Sequence, residues 1–332
     1  MRICYWTSNA VGGAGKYELY LPRCVSKLHV DVNVYKRPKG FFGNPILLKL
    51  FYKTNGDIVH ATTQTLSIYA NPKPRRFIVT VHDMLTLHRS MQSKVKRFLI
   101  KKFLNKADKI IAVSEFTKRE ILNQTNVPED NIEIVPMGVD ISRYRPLNKN
   151  YSRSIFNLDL GCKYILVVAS NASYKRTDIA LAVFNEIKKY RDDVKLIKAG
   201  YGQQLQGEGI INVGFVPESK MPYLYNASDV LLHTSEYEGF GMPILEAMAC
   251  GIPVVCSKKA SIPEVVGSRK YLVDIDSTDC IKQFAWKILD NLERKRDLKF
   301  VMRARNFSWD NIAKRTVKIY ERVYDSIHAS RE

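Results

Sequence analysis

Several features are scarce or missing in this chain of 332 residues, and each absence removes a class of protein. No apolar run approaches the roughly 18 residues that would span a bilayer. The opening Met1-Arg2-Ile3-Cys4-Tyr5-Trp6 reads as a strand and lacks the pattern of a cleavable leader. The six cysteines are scattered, with no CxxC pair and no metal-binding spacing. That fits reduced core thiols in a cytoplasmic protein and not a disulfide framework. No stretch is of low complexity. Acidic residues are few, 33 against 52 Lys and Arg, for a net charge of +19.

What is present is ordinary in bulk and uneven in charge. A hydrophobic fraction of 45% with 26% charged residues suits a soluble globular chain, and the length suits two domains of about 150 residues each. Residues 1–150 carry 25 basic and 11 acidic side chains, so most of the excess lies in the first half. That half is expected to meet something anionic: phospholipid, nucleic acid or a polyanionic acceptor. Residues 89–109 concentrate it, with eight basic side chains and one acidic. Val95, Phe98, Leu99 and Phe103 fall there at helical spacing. A packed helix with a solvated basic face is the plain reading; an electrostatic footing on anionic lipid is the functional one.

Short apolar runs alternate with helical segments along both halves, which predicts parallel sheets covered on both faces, with ligands outside the carboxyl ends of the strands. Residues 148–154, polar and without periodicity, read as the linker. The most informative stretch is 234–257, TSEYEGFGMPILEAMACGIPVVCS. It sets Glu238 and Glu246 eight positions apart around a turn, Gly239-Phe240-Gly241, with Pro243 placed for a first helical turn. Backbone N–H groups at such a helix start suit a phosphate, and the carboxylates suit sugar hydroxyls. A nucleotide-sugar site follows.

Other motifs divide. Gly12-Gly13-Ala14-Gly15-Lys16 fails as a P-loop, because Ala10 and Tyr17 stand where Gly and Ser or Thr are needed. It either touches a ligand phosphate or allows a tight turn before a helix from about Lys16. His82-Asp83 ends an apolar strand, and the neighbouring aspartate favours a site role over a core histidine; His60 is balanced between the two. Lys175 follows a strand at the same edge of the second half, where it can neutralise a diphosphate. Asp274-Ile275-Asp276 has the form of a metal-binding DxD but reads as solvated carboxylates on a loop. No metal is expected.

Together these residues resemble the GT-B glycosyltransferases, specifically the retaining family GT4 (glycosyl transferases group 1). The most specific part is Glu238 to Glu246, which resembles the family's E-x7-E signature. Thr80-Val81-His82-Asp83-Met84, the block 107–115 and Ile134-Val135-Pro136-Met137-Gly138-Val139-Asp140 are similar to family blocks in the family's order. The resemblance implies two Rossmann-like, doubly wound parallel-sheet domains facing across a cleft. Residues 1–147 plus 312–332 would form the acceptor side, with the last helix crossing back, and 148–311 the donor side. It implies catalytic roles for His82, Glu238 and Lys175. Donor contacts are implied for Gly12, Gly13, Lys175, Gly239, Phe240, Gly241 and Glu246, the last on ribose hydroxyls. The usual arginine ahead of the lysine is absent, Ser170 standing near its place, and Met137 replaces a common asparagine.

The activity implied is metal-independent transfer of a hexose from a nucleoside-diphosphate sugar, the co-substrate, to an acceptor hydroxyl with retention. The acceptor would be a glycan, a lipid-linked sugar or a small molecule. The protein would be cytoplasmic, with a peripheral footing on the membrane through the basic helix. Two rivals stand beside it. One is a GT-B enzyme that glucosylates nucleic acid, although no aromatic-basic interleaving for nucleic acid is present. The other is a silent sugar-nucleotide-binding protein.

Overall fold

The computed structural model describes residues 1–37, 52–70, 73–85, 94–294 and 296–326. The chain divides into two compact units, residues 1–138 with 307–332, and residues 139–306.

In the first unit, runs such as Ile3-Cys4-Tyr5-Trp6 and Phe77-Ile78-Val79 are apolar throughout and buried, so both of their faces must be covered. Six strands result: β1 (Arg2–Thr7), β2 (Asp31–Lys36), β3 (Ile58–Ala61), β4 (Phe77–Val81), β5 (Lys109–Ala112) and β6 (Ile132–Ile134). All pair in parallel, in the order β2-β1-β3-β4-β5-β6. The order reverses at β1, so the loops after β1 and β3 part there, as at a ligand-binding switch point. One face packs Trp6, Val59, Phe77, Val79 and Ile110 against Phe103 and Leu104 of the helix Lys94–Leu104. Side chains alternate along a strand, and the opposite face turns Tyr5 and His60 toward Tyr320 of the helix Trp309–Asp325. That helix packs on the helix Gly12–Ser26, with Tyr20 stacked on Trp309 at 5.7 Å.

The basic segment differs from expectation. Its residues 89–93 lie outside the described residues, and the helix Lys94–Leu104 buries Ile100, Phe103 and Leu104. Val95 and Phe98, expected on the packed face, are 66% and 64% exposed among lysines. The sheet is reached one helical position round from the apolar spacing that the sequence suggested. Among the described residues no helix is long and apolar enough to cross a membrane.

The second unit repeats the scheme. Strands β7 (Lys163–Val168), β8 (Val194–Ala199), β9 (Ile210–Gly214), β10 (Val230–His233), β11 (Val254–Ser257) and β12 (Leu272–Val273) pair in parallel, in the order β12-β11-β10-β7-β8-β9. The winding reverses between β7 and β10, which places the loops after these two strands at the switch point. Residues 148–154, expected as linker, instead form the helix Lys149–Ser154, capped by the Asn148 side chain. Arg153 gives the segment its anchor: its guanidinium is buried on the Asp229 carboxylate at 2.9 Å, which also accepts from Tyr164 N at 2.7 Å. Polarity there marks a satisfied ion pair.

Candidate active site

At the switch point of the second unit, backbone and hydroxyl contacts lace two loops together. The Thr234 hydroxyl donates to the carbonyls of Lys175 and Arg176 at 3.0 and 2.8 Å, and Glu236 N donates to Tyr174 O at 2.7 Å. Ser261 fixes the next turn by donating to Glu238 O and Phe240 O at 2.8 and 3.0 Å. This scaffold brings Lys175 and Glu238 together. Lys175 Nζ donates to Glu238 Oε1 at 2.6 Å, and His233 Nε2, at the end of β10, donates to the same oxygen at 2.9 Å. The lysine and glutamate side chains are only 15% and 12% exposed. Burial by itself would raise the Glu238 carboxyl. The Lys175 charge and the His233 bond outweigh it and hold the group at about 2, so it is ionised at any working pH.

The turn Gly239-Phe240-Gly241 then enters the helix Met242–Ala249. Gly241 caps it at φ +106°, in the left-handed region, and no side chain bonds the cap. Pro243 has no N–H and Ile244 N donates to Gly241 O at 3.1 Å, so what this helix start offers an anion is chiefly the positive end of its dipole. Glu246 is the fifth residue of this helix, at the start of its second turn. It is buried and accepts from the Tyr225 hydroxyl at 2.9 Å. Burial, then the Glu246 charge, raises that hydroxyl well above its ordinary range, so it stays a donor. In the Asp274-Ile275-Asp276 loop, Asp274 accepts from Asp276 N at 3.1 Å and Asp276 pairs with Lys259.

In the first unit the helix begins at Gly12, four residues ahead of the expected start at Lys16, so Gly12 and Gly13 lie in its first turn. Val11 offers no side-chain cap there. Gly15 is required by space, because a Cβ on it would lie 2.2 Å from Ala10 O. Glu18 holds this corner. Its Oε1 accepts from Ser8 N and Oγ, both at 2.7 Å, and from Thr62 Oγ1 at 3.1 Å, while Oε2 accepts from Ala10 N at 3.0 Å. His82 Nε2 donates to Thr62 O at 2.9 Å, and its ring meets Tyr17 edge-on at 5.0 Å. Burial lowers the ring to about 4, so His82 is neutral and presents Nδ1 as an acceptor. Asp83 turns its carboxylate to Leu85 N at 3.0 Å.

His60 is a core residue. It bonds Tyr320 OH through Nδ1 at 2.6 Å and Thr80 Oγ1 through Nε2 at 2.7 Å. Tyr5 and Tyr17 extend the chain at 2.7 and 2.8 Å.

The family model for glycosyl transferases group 1 matches residues 148–307, and that for Glycosyltransferase Family 4 matches residues 10–143. The chain belongs to the GT4-like glycosyltransferases of GT-B fold. This glycosyltransferase is 27% identical over 287 residues to O-antigen chain mannosyltransferase B of Escherichia coli, covering 77% of its own length and 72% of that protein. Its fold is similar to sucrose-phosphate synthase from Thermosynechococcus elongatus, with a TM-score of 0.82 at 17% identity over 98% of this chain and 99% of that one. It is also similar to HepE from Anabaena, solved with UDP and glucose, with a TM-score of 0.76 at 19% identity over 97% and 99% of the two chains.

Three residues at these positions, Glu18 in the first unit and His233 and Tyr225 in the second, are not singled out by the sequence. His233 carried a signal, since in the sequence it follows an apolar run just as His60 and His82 do. Glu18 and Tyr225 carried none, because their partners lie in other elements of the chain.

Proposed function

We propose that this glycosyltransferase moves a hexose from a nucleoside-diphosphate sugar to an acceptor hydroxyl with retention and without a metal. The observation that carries the reading is the buried Lys175–Glu238–His233 cluster at the switch point of the second unit. With one ammonium proton on Glu238, Lys175 has two more to offer to phosphate oxygens. Together with the positive end of the helix Met242–Ala249 it stabilises the charge that grows as the C1–O bond to the diphosphate breaks. Glu246, oriented by Tyr225, takes the ribose hydroxyls, and Glu238 with the Gly239-Phe240-Gly241 turn faces the sugar. Gly12 and Gly13 offer first-turn amides from the first unit, and neutral His82 accepts a sugar hydroxyl. The acceptor oxygen attacks the same face of C1, and its proton passes to the departing phosphate oxygen. No carboxylate nucleophile is then needed on the far face.

The relative named a mannosyltransferase and the fold neighbour solved with UDP and glucose support a hexose on a nucleotide. The acceptor is a glycan or lipid-linked sugar, met at an anionic membrane surface on which Val95 and Phe98 insert beside Lys94, Lys101 and Lys102. Thermal shift with UDP-, GDP- and dTDP-sugars should pick out one donor. Turnover of that donor should then give a product whose anomeric configuration matches it, with chelator present. An inverted anomer, or no turnover without a divalent ion, refutes the reading.

A further inference from the structure

Away from the donor loops of the second unit, two aromatic rings stand in solvent side by side. Tyr190 follows the helix Thr177–Lys188 and Trp286 lies on the helix Cys280–Leu292, which packs against it. They are 55% and 60% exposed, with ring centroids 5.6 Å apart and planes tilted by 40°. The helix Thr177–Lys188 starts two residues after Lys175 and runs for about 18 Å. The rings therefore belong to the opposite end of the unit from the buried Lys175–Glu238 pair. The corner that carries Tyr190 is closely fixed. Tyr190 N donates to Ile187 O at 2.9 Å, and Lys188 Nζ donates to Asp192 O at 2.9 Å. Arg191 binds Asp193 at 2.7 and 2.8 Å and reaches Glu293, just past the second helix, at 3.0 Å. Beside the rings lies Glu186, its side chain mostly covered. It accepts from Lys189 Nζ at 2.6 Å. That bond, the charges of Lys189 and Lys282 and a bond from Tyr190 hold the carboxyl below its ordinary range.

We infer that Tyr190, Trp286 and Glu186 form a holding site for a neutral glycan, apart from the site of transfer. A sugar ring turns a face of C–H groups to one side, and these slightly positive hydrogens lie well on the negative face of an aromatic ring. The hydroxyls at its rim need partners. A carboxylate has about four accepting positions, of which Lys189 and Tyr190 take two on Glu186, and Trp286 adds an indole N–H donor. Size and charge favour a sugar over other occupants of exposed aromatics. Aromatic side chains bury about 150–250 Å² each, so the exposed parts of this pair offer about 200 Å². A stable protein interface takes roughly 800 Å² per side. An anionic membrane draws on lysines, and here they are engaged: Lys188 on Asp192 O, Lys189 on Glu186, and Lys287 on Lys270 O at 2.7 Å. Asp192, two residues from Tyr190, and Asp290, one turn from Trp286, are exposed and add negative charge. A glycan held here stays beside the enzyme between encounters, which raises the effective concentration of its free end. Only that consequence rests on the glycan-acceptor reading above.

The test is affinity electrophoresis of the full chain in native gels run toward the cathode, with α-mannan, dextran or β-galactan in the gel and no donor present. At least one of the three should retard wild type. Y190A/W286A should need roughly tenfold more of that polysaccharide for the same retardation, and Glu186→Gln, which keeps both rings, an intermediate amount. The melting temperature and its rise with a donor sugar nucleotide should be unchanged in both variants. No retardation of wild type by any of the three overturns the inference, and so does equal retardation of wild type and Y190A/W286A. If Y190A/W286A melts early, Glu186→Gln decides alone, and retardation equal to wild type overturns the site. Y190A/W286A that keeps its retardation but loses binding to phosphatidylglycerol vesicles, or loses a dimer that wild type shows in sedimentation, puts a lipid or a second copy on the rings and overturns the glycan. Because the gels hold no donor, a protein that is retarded but transfers no sugar loses the proposed reaction and keeps this site.

Discussion

Replacing Lys175 with methionine leaves the Glu238 carboxylate buried, with His233 as its remaining partner. Two charges 2.6 Å apart in an effective dielectric of about 20 attract by about 6 kcal/mol, an upper figure. His233 still donates, and the carboxyl rises once burial dominates and can take a proton. The expected loss of stability is therefore about 3 kcal/mol, the low end for removing one partner of a buried pair. Glu238→Gln leaves a lysine long enough to reach water and should cost about 1–2 kcal/mol. The double variant K175M/E238Q removes both charges and should recover about 2 kcal/mol of the summed loss. Urea unfolding of the four proteins, followed by circular dichroism at neutral pH, measures this coupling. Additivity within about 0.5 kcal/mol would refute the ion pair as an energetic unit. Turnover should separate from stability: both single variants should lose orders of magnitude, and the double variant should regain none of it. Restored turnover in the double variant would mean that Lys175 serves only to neutralise Glu238.

The remaining predictions concern the first unit. His60 and His82 are lowered by burial to about 3 and about 4, so an unfolded chain binds their protons first as pH falls. Stability of this unit should be full above about pH 7 and fall between about 6.5 and 4, with a shallower fall in His60→Leu; a flat urea midpoint across that window in wild type contradicts the assignment. Gly15→Ala forces a methyl to 2.2 Å from Ala10 O and should cost about 1–3 kcal/mol, measured by thermal melting, while disturbing the helix start enough to weaken donor binding. V95S/F98S should weaken cosedimentation with phosphatidylglycerol vesicles by about tenfold and leave the melting temperature unchanged, since both side chains are exposed.

Strand positions were legible because parallel sheets demand runs apolar on both faces, and Val230-Leu231-Leu232 or Val254-Val255-Cys256 can be nothing else in this rhythm. The Gly241-Met242-Pro243 helix start was legible for a like reason: glycine and proline each fit only a few backbone positions there. Helix starts without such markers were not. Gly12 and Gly13 have poor helix propensity, yet they begin a helix because packing against Trp309–Asp325 outweighs it. The face of Lys94–Leu104 was misjudged because Ile100 and Val95 are equally apolar, and only the position of the sheet decides between them. Side-chain meetings were least legible. Nothing local in Glu18 announces that it binds loops after two different strands, and nothing in Arg153 announces Asp229, 76 positions away.

The helix Trp309–Asp325 closes a unit whose six strands all lie before residue 138. Tyr320 is the hydroxyl between Tyr5 and His60, so the hydrogen-bonded line through that core is broken until the helix Trp309–Asp325 exists. The unit 139–306 is continuous and owes nothing to later residues for its own strands. On a ribosome, where domains fold as they emerge, the order of completion is then the reverse of the order of synthesis. A nascent chain that has emerged from the ribosome only as far as residue 306 would carry a finished second unit and a first one still waiting for its closing helix.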